Sequence, residues 1–202
     1  MAELHELFGA GAIVFVVAAA LGVAGVDLAA RLGLLDPTTR VAPARVLPWV
    51  AASLSLGAAV IHFSVVEAHL AEWLPFALFF ITAGWAQALW AAAVLLRPGR
   101  RLYLAGAAGN AIIAATWLAS RTTGLPIAPE PWTPEPVGLP DLLATAFEVA
   151  LLLVCLRAAV SPGAGAPGRP ARDAWSWAAF SIALVVLSTS LVMVGFGAAP
   201  HA

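Results

Sequence analysis

A chain of 202 residues that is 62% hydrophobic and only 10% charged, with a mean hydropathy of +0.94, excludes a soluble globular domain and reads as a polytopic membrane protein. Its formal net charge of −1, with arginine as the sole strong base, leaves no basic surface for nucleic acid. Its one cysteine, Cys155, excludes a disulfide framework within the chain.

Six apolar runs follow one another, each close to the roughly 20 residues that cross about 30 Å of hydrocarbon. None alternates with the period of two that barrel strands need, so an all-α bundle of six transmembrane helices in a single domain over 1–202 is expected. The first run, 7–30, follows Glu3 and Glu6, which stand where a signal peptide needs positive charge, so it is expected to be a retained anchor. Asp27 sits one turn before Arg31 near its end, a spacing that lets the two pair. The second run, 46–72, carries His62, His69 and Glu72 on one face, with Glu67 off that face. The third, 75–96, carries Gln87, and the fourth, 102–120, carries Asn110.

The connection 121–140 differs in kind. Pro126, Pro129, Pro131, Pro134, Pro136 and Pro140 forbid helix and hold their predecessors extended, which makes a stiffened lid in which Arg121 can pair with Glu130 and Glu135. The fifth run, 139–159, carries Asp141 and Glu148 seven residues apart. Ser161 to Pro170, rich in proline and glycine, reads as a flexible loop before the sixth run, 174–197, whose Ser188, Thr189 and Ser190 read as packing hydroxyls.

Arginine fixes the orientation, because short loops rich in Arg stay in the cytoplasm. Arg31, Arg40 and Arg45 follow the first span, Arg97, Arg100 and Arg101 the third, and Arg157, Arg169 and Arg172 the fifth, leaving only Arg121 on the other side. Both termini are therefore expected outside a bacterial plasma membrane, with His5, His62, His69 and His201 towards the outer face. Trp73 and Trp117 near outer ends, and Trp49, Trp90, Trp175 and Trp177 near inner ends, read as interfacial anchors. Gly57, Gly84, Gly106 and Gly109 read as points of close helix approach.

The chemistry concentrates on the second and fifth spans, which run antiparallel. His62 is expected to meet Glu148 deep in the bundle, and His69 with Glu72 to meet Asp141 about 10 Å nearer the surface. His62, Gln87, Asn110 and Glu148 lie at similar depth on four helices, and polar groups there are costly unless they face one another or a cavity. Imidazole with carboxylate is the ligand set of zinc, iron and copper, so His62, His69, Glu72, Asp141 and Glu148 form a candidate transition-metal site with Gln87 and Asn110 in support. The same groups suit a proton relay, since imidazole titrates near neutrality. The plain alternative is a structural hydrogen-bonded pair with interhelical glue. Haem is not expected, because His62 is the only deep histidine, and no glycine-rich phosphate loop speaks for a nucleotide.

The strings HFSVVEAHLAEW, FFITAGWAQALWA, GNAIIAATW and SRTTGLPIAPEPWTPEPVGLPDLLATAFE resemble a family of bacterial multi-pass, six-helix membrane proteins over roughly residues 55–150. The resemblance implies the fold and carries no activity. The function expected is the binding or movement of a transition-metal ion or protons at a buried His/carboxylate site open to the outside. Its competitors are a metal-dependent membrane redox enzyme and a non-catalytic subunit of a larger membrane complex. The lipid bilayer is the expected surrounding, with a membrane-protein partner or a second copy as the further associations the sequence allows.

Overall fold

The structure, a computed structural model, describes residues 43–161, and side chains from residue 47. The first and sixth spans lie outside these residues, as do His5, Asp27, His201 and the hydroxyl group of Ser188, Thr189 and Ser190. All regular structure among the described residues is helical: α1 (Pro43–Ser64), α2 (Val66–Glu72), α3 (Leu74–Leu96), α4 (Arg100–Thr122) and α5 (Leu139–Ala159). Four of them, α1, α3, α4 and α5, are long and apolar enough to cross a membrane.

The third, fourth and fifth runs of the sequence correspond to α3, α4 and α5, each opened by a local signal. Pro75 and Pro140 occupy the first turn of α3 and α5, where a missing N–H costs nothing and the fixed φ suits the helix. The second run, expected as one helix over 46–72, is instead two. Ser64 Oγ donates to Ile61 O at 2.7 Å, while Val65 N reaches the same carbonyl only at 3.3 Å. A serine hydroxyl that competes for a helix carbonyl loosens the ladder, and α2 continues from Val65 as a separate seven-residue helix. Trp73, extended at φ −165° and ψ 126°, closes α2 and opens α3 with no residue between them.

The helices pack in the order α3, α1, α5, α4, with α2 resting on α3. Alanines and medium aliphatic residues dominate the contacts. Ala51, Leu54, Ala58 and Ile61 of α1 meet Ala91 and Val94 of α3 and Leu143, Phe147 and Leu151 of α5, while Tyr103 and Ala107 join from α4. Small side chains let backbones approach where dispersion, not water exclusion, drives association. Burial separates the inner from the outer members: 67% of the α1 span is buried and 50% of α5, against 28% of α3 and 22% of α4. Leu78, Trp85 and Leu89 on α3 and Leu104, Ile112 and Leu118 on α4 are exposed, which suits a surface facing acyl chains.

The helices α3 and α4, consecutive in the chain, touch each other only slightly. They meet near their short connection, where the Trp90 ring lies over Gly106 and Trp90 Nε1 donates to Leu102 O at 2.9 Å. A Cβ on Gly106 would lie 2.4 Å from that ring, and one on Gly84 would lie 2.8 Å from the Phe63 ring. Gly109 is different: among the described residues nothing lies within 4 Å of where its Cβ would stand, so it is not a point of close approach between these helices. Trp90 is thus a packing wedge and not simply an anchor.

Candidate functional site

Each of the four long helices contributes one buried polar side chain to a continuous chain of contacts. His62 of α1 and Glu148 of α5 are 3% and 1% exposed, and His62 Nε2 lies 2.9 Å from Glu148 Oε1. Gln87 Nε2 of α3 donates to that same carboxylate oxygen and to Asn110 Oδ1 of α4, both at 3.4 Å. Asn110 Nδ2 donates to Gly106 O at 2.8 Å, and Ser55 Oγ fixes the Gln87 backbone by donating to its carbonyl at 2.8 Å. The two long amide contacts are weak beside the imidazole contact, so His62 is the principal partner of Glu148. Gln87 Oε1 has no hydrogen-bond partner among the described residues.

The antiparallel course of α1 and α5 is what brings this pair together. Towards the other end of α5 the expected second layer is not formed. Asp141 Oδ2 accepts from Arg121 Nη2 at 2.6 Å, and Arg121 Nη1 donates to Glu135. The guanidinium fork offers Asp141 a charge-assisted bond that neither His69 nor Glu72 matches. His69 Nδ1 donates to Val65 O at 2.8 Å, and its ring lies over Phe80 with centroids 4.3 Å apart. Glu72, the last residue of α2, is exposed and stands apart from the others. The break at Val65 removes the continuous helix face that would have aligned it with His62.

The proline-rich connection is compact. Glu135 N donates to Ser120 O at 3.0 Å and Trp132 N to Leu125 O at 3.1 Å, folding the loop back on the end of α4. Gly124 makes this possible: its φ is +71°, and a Cβ there would lie 2.4 Å from the Thr133 backbone. Arg121, whose side chain is 10% exposed, ties the end of α4 to the loop through Glu135 and to α5 through Asp141. Glu130, expected to share this arginine, is exposed on the loop and takes no part in the pairing.

Beneath the loop, between α3 and α4 at the end where they lie apart, is a cavity of about 160 Å³. His62 and Glu148 line it at one end and Arg121, Glu135 and Asp141 at the other, with His69 and the rings of Trp73, Phe76, Phe80 and Trp117 along its walls. Sequence reasoning missed these aromatic walls. Phe76 and Phe80 stand one turn apart, a spacing that was available as a signal, and Trp117 serves the cavity as much as any interface.

Among the described residues no three His, Cys, Asp or Glu side chains gather where one metal ion would reach them all. His62 and Glu148 make two such groups, His69 is committed through Nδ1, and Asp141 is held by Arg121. The five residues expected in two stacked layers, His62 with Glu148 and His69 with Glu72 and Asp141, thus divide into a buried pair, two cavity-wall groups and an exposed carboxylate. Comparison with family models, with curated proteins and with solved structures finds no match to this chain.

Proposed function

We propose that the chain is a six-span protein of the bacterial plasma membrane, with both termini outside, in which His62 and Glu148 take up and release a proton at the inner end of a cavity facing the outer side. The orientation rests on the arginine distribution. The proton reading rests on one contact, the 2.9 Å approach of His62 Nε2 to Glu148 Oε1 in a buried setting.

That contact needs one hydrogen between nitrogen and oxygen, and two charge states supply it. A neutral imidazole donating from Nε2 to an ionised carboxylate carries net charge −1. An imidazolium with the carboxylate, or an imidazole accepting from the carboxylic acid, carries net zero. The states differ by one proton and share the same heavy-atom geometry, so the pair exchanges a proton without rearrangement. Gln87 Nε2 donates to the same carboxylate oxygen at 3.4 Å. Transition-metal binding fits less well, because catalytic zinc sites use three protein ligands and structural ones four.

The test is infrared difference spectroscopy of the purified protein through pH steps on either side of neutrality. Carboxyl and imidazole bands that change together are expected, with the carboxyl band lost in Glu148→Gln and the imidazole band lost in His62→Gln. A wild-type spectrum without these bands, or one unchanged by Glu148→Gln, refutes the proton reading. Stoichiometric copper, iron or zinc that disappears with Glu148→Gln would put the metal reading in its place.

A further inference from the structure

The cavity carries a second set of groups that the proton pair leaves unused. Arg121 gives both Nη atoms to carboxylates, yet among the described residues its Nε is buried without a hydrogen-bond partner, and so is Nε1 of Trp117. The two residues stand four apart on α4, hence on one face, and both line the cavity. A buried N–H without an acceptor is among the costlier conditions a side chain can hold, and two on one helix face beside a cavity call for an acceptor from a guest. The space they border has rings along part of its wall, and at about 160 Å³ it matches the roughly 150 Å³ that holds a benzene-sized guest in a protein interior.

Charge narrows the class of guest. Arg121 is flanked by Glu135 and Asp141, so this end of the cavity is already net negative and repels an anion. A cation gains nothing from two N–H donors. A neutral molecule with a lone-pair oxygen satisfies both conditions, and its ring finds Phe76, Phe80 and Trp117 to pack against.

We infer that the cavity binds a neutral single-ring molecule through an acceptor oxygen of the aryl ketone or quinone type, received by Trp117 Nε1 and Arg121 Nε. Binding alone is proposed, with no chemistry on the guest, and it does not depend on the proton reading of His62 and Glu148.

A matched pair of probes tests it: fluorine-labelled acetophenone, and fluorine-labelled ethylbenzene of nearly the same shape without the oxygen. Each is titrated by fluorine NMR against the full chain in detergent, with empty micelles as the reference for partitioning. The ketone is expected to bind saturably and about tenfold tighter than the hydrocarbon. Trp117→Phe, which keeps a ring and removes the N–H, weakens the ketone about fivefold, the worth of one neutral hydrogen bond, and leaves the hydrocarbon unchanged. Ile113→Trp, which fills the cavity from the α4 wall, abolishes ketone binding and provides a second variant should Trp117→Phe fail to fold. Equal affinity for the two probes, no saturable ketone binding, or ketone binding that survives Ile113→Trp overturns the inference. None of these results bears on the infrared bands of Glu148, so this proposal and the proton reading fail separately.

Discussion

At the scale of single residues, the contact between His62 and Glu148 rests on helix arithmetic. Seven residues separate His62 from His69 and Asp141 from Glu148, and antiparallel helices with equal spacings present their polar groups at matching levels. The same arithmetic did not carry the outer pair, for two local reasons. Ser64 loosens the helix just before His69 and Glu72, and Arg121 offers Asp141 a stronger partner across a loop whose folding no helix periodicity describes. The buried pair predicts a particular pattern of stability. His62→Leu leaves Glu148 with only the long Gln87 contact and is expected to cost about 3 kcal/mol, as the breaking of a buried ion pair does. That is well above the roughly 0.6 kcal/mol typical of an interhelical hydrogen bond in a membrane bundle. The double variant His62→Leu with Glu148→Leu should recover most of the loss, since no charge is then stranded. Unfolding midpoints of the four species measure the coupling, and additive losses would rule out a shared charge state.

Among elements, helix identity and extent were plain for α3, α4 and α5, because long apolar runs bounded by proline, glycine or arginine leave little choice. Neighbourhood was not. Sequence adjacency suggests that α3 and α4 pack closely, whereas they sit at opposite ends of the packing order and meet chiefly through Trp90 on Gly106. Glycine alone did not reveal where these helices approach: Gly106 lies under a ring, while Gly109, one turn on, meets nothing among the described residues. The two positions therefore make a paired prediction. Gly106→Ala forces the Trp90 ring to move and should destabilise by about 1–3 kcal/mol, the usual range for overpacking. Gly109→Ala should be neutral or stabilising by up to about 1 kcal/mol through helix propensity. Denaturation midpoints compare them, and equal responses would show that Trp90 is not the wedge between these helices.

For the whole molecule, composition decided the membrane class, and the exposed apolar faces of α3 and α4 agree with it. Orientation is a separate matter, carried by arginines that, among the described residues, stand at or near helix ends. The proposed topology puts the proline-rich loop outside and the turn at Gly99 inside. Cys155 is fully buried and should stay silent towards a membrane-impermeant maleimide, so single cysteines can be added to an otherwise unreactive chain. Thr133→Cys should label in intact cells and Gly99→Cys only after lysis; the reverse pattern would invert the topology. Mechanics follow from the junction at Trp73. Two helices joined through one extended residue are kept side by side. The His69 ring of α2 and the Phe80 ring of α3 therefore make one stretch of cavity wall out of two helices, and whatever enters there meets both.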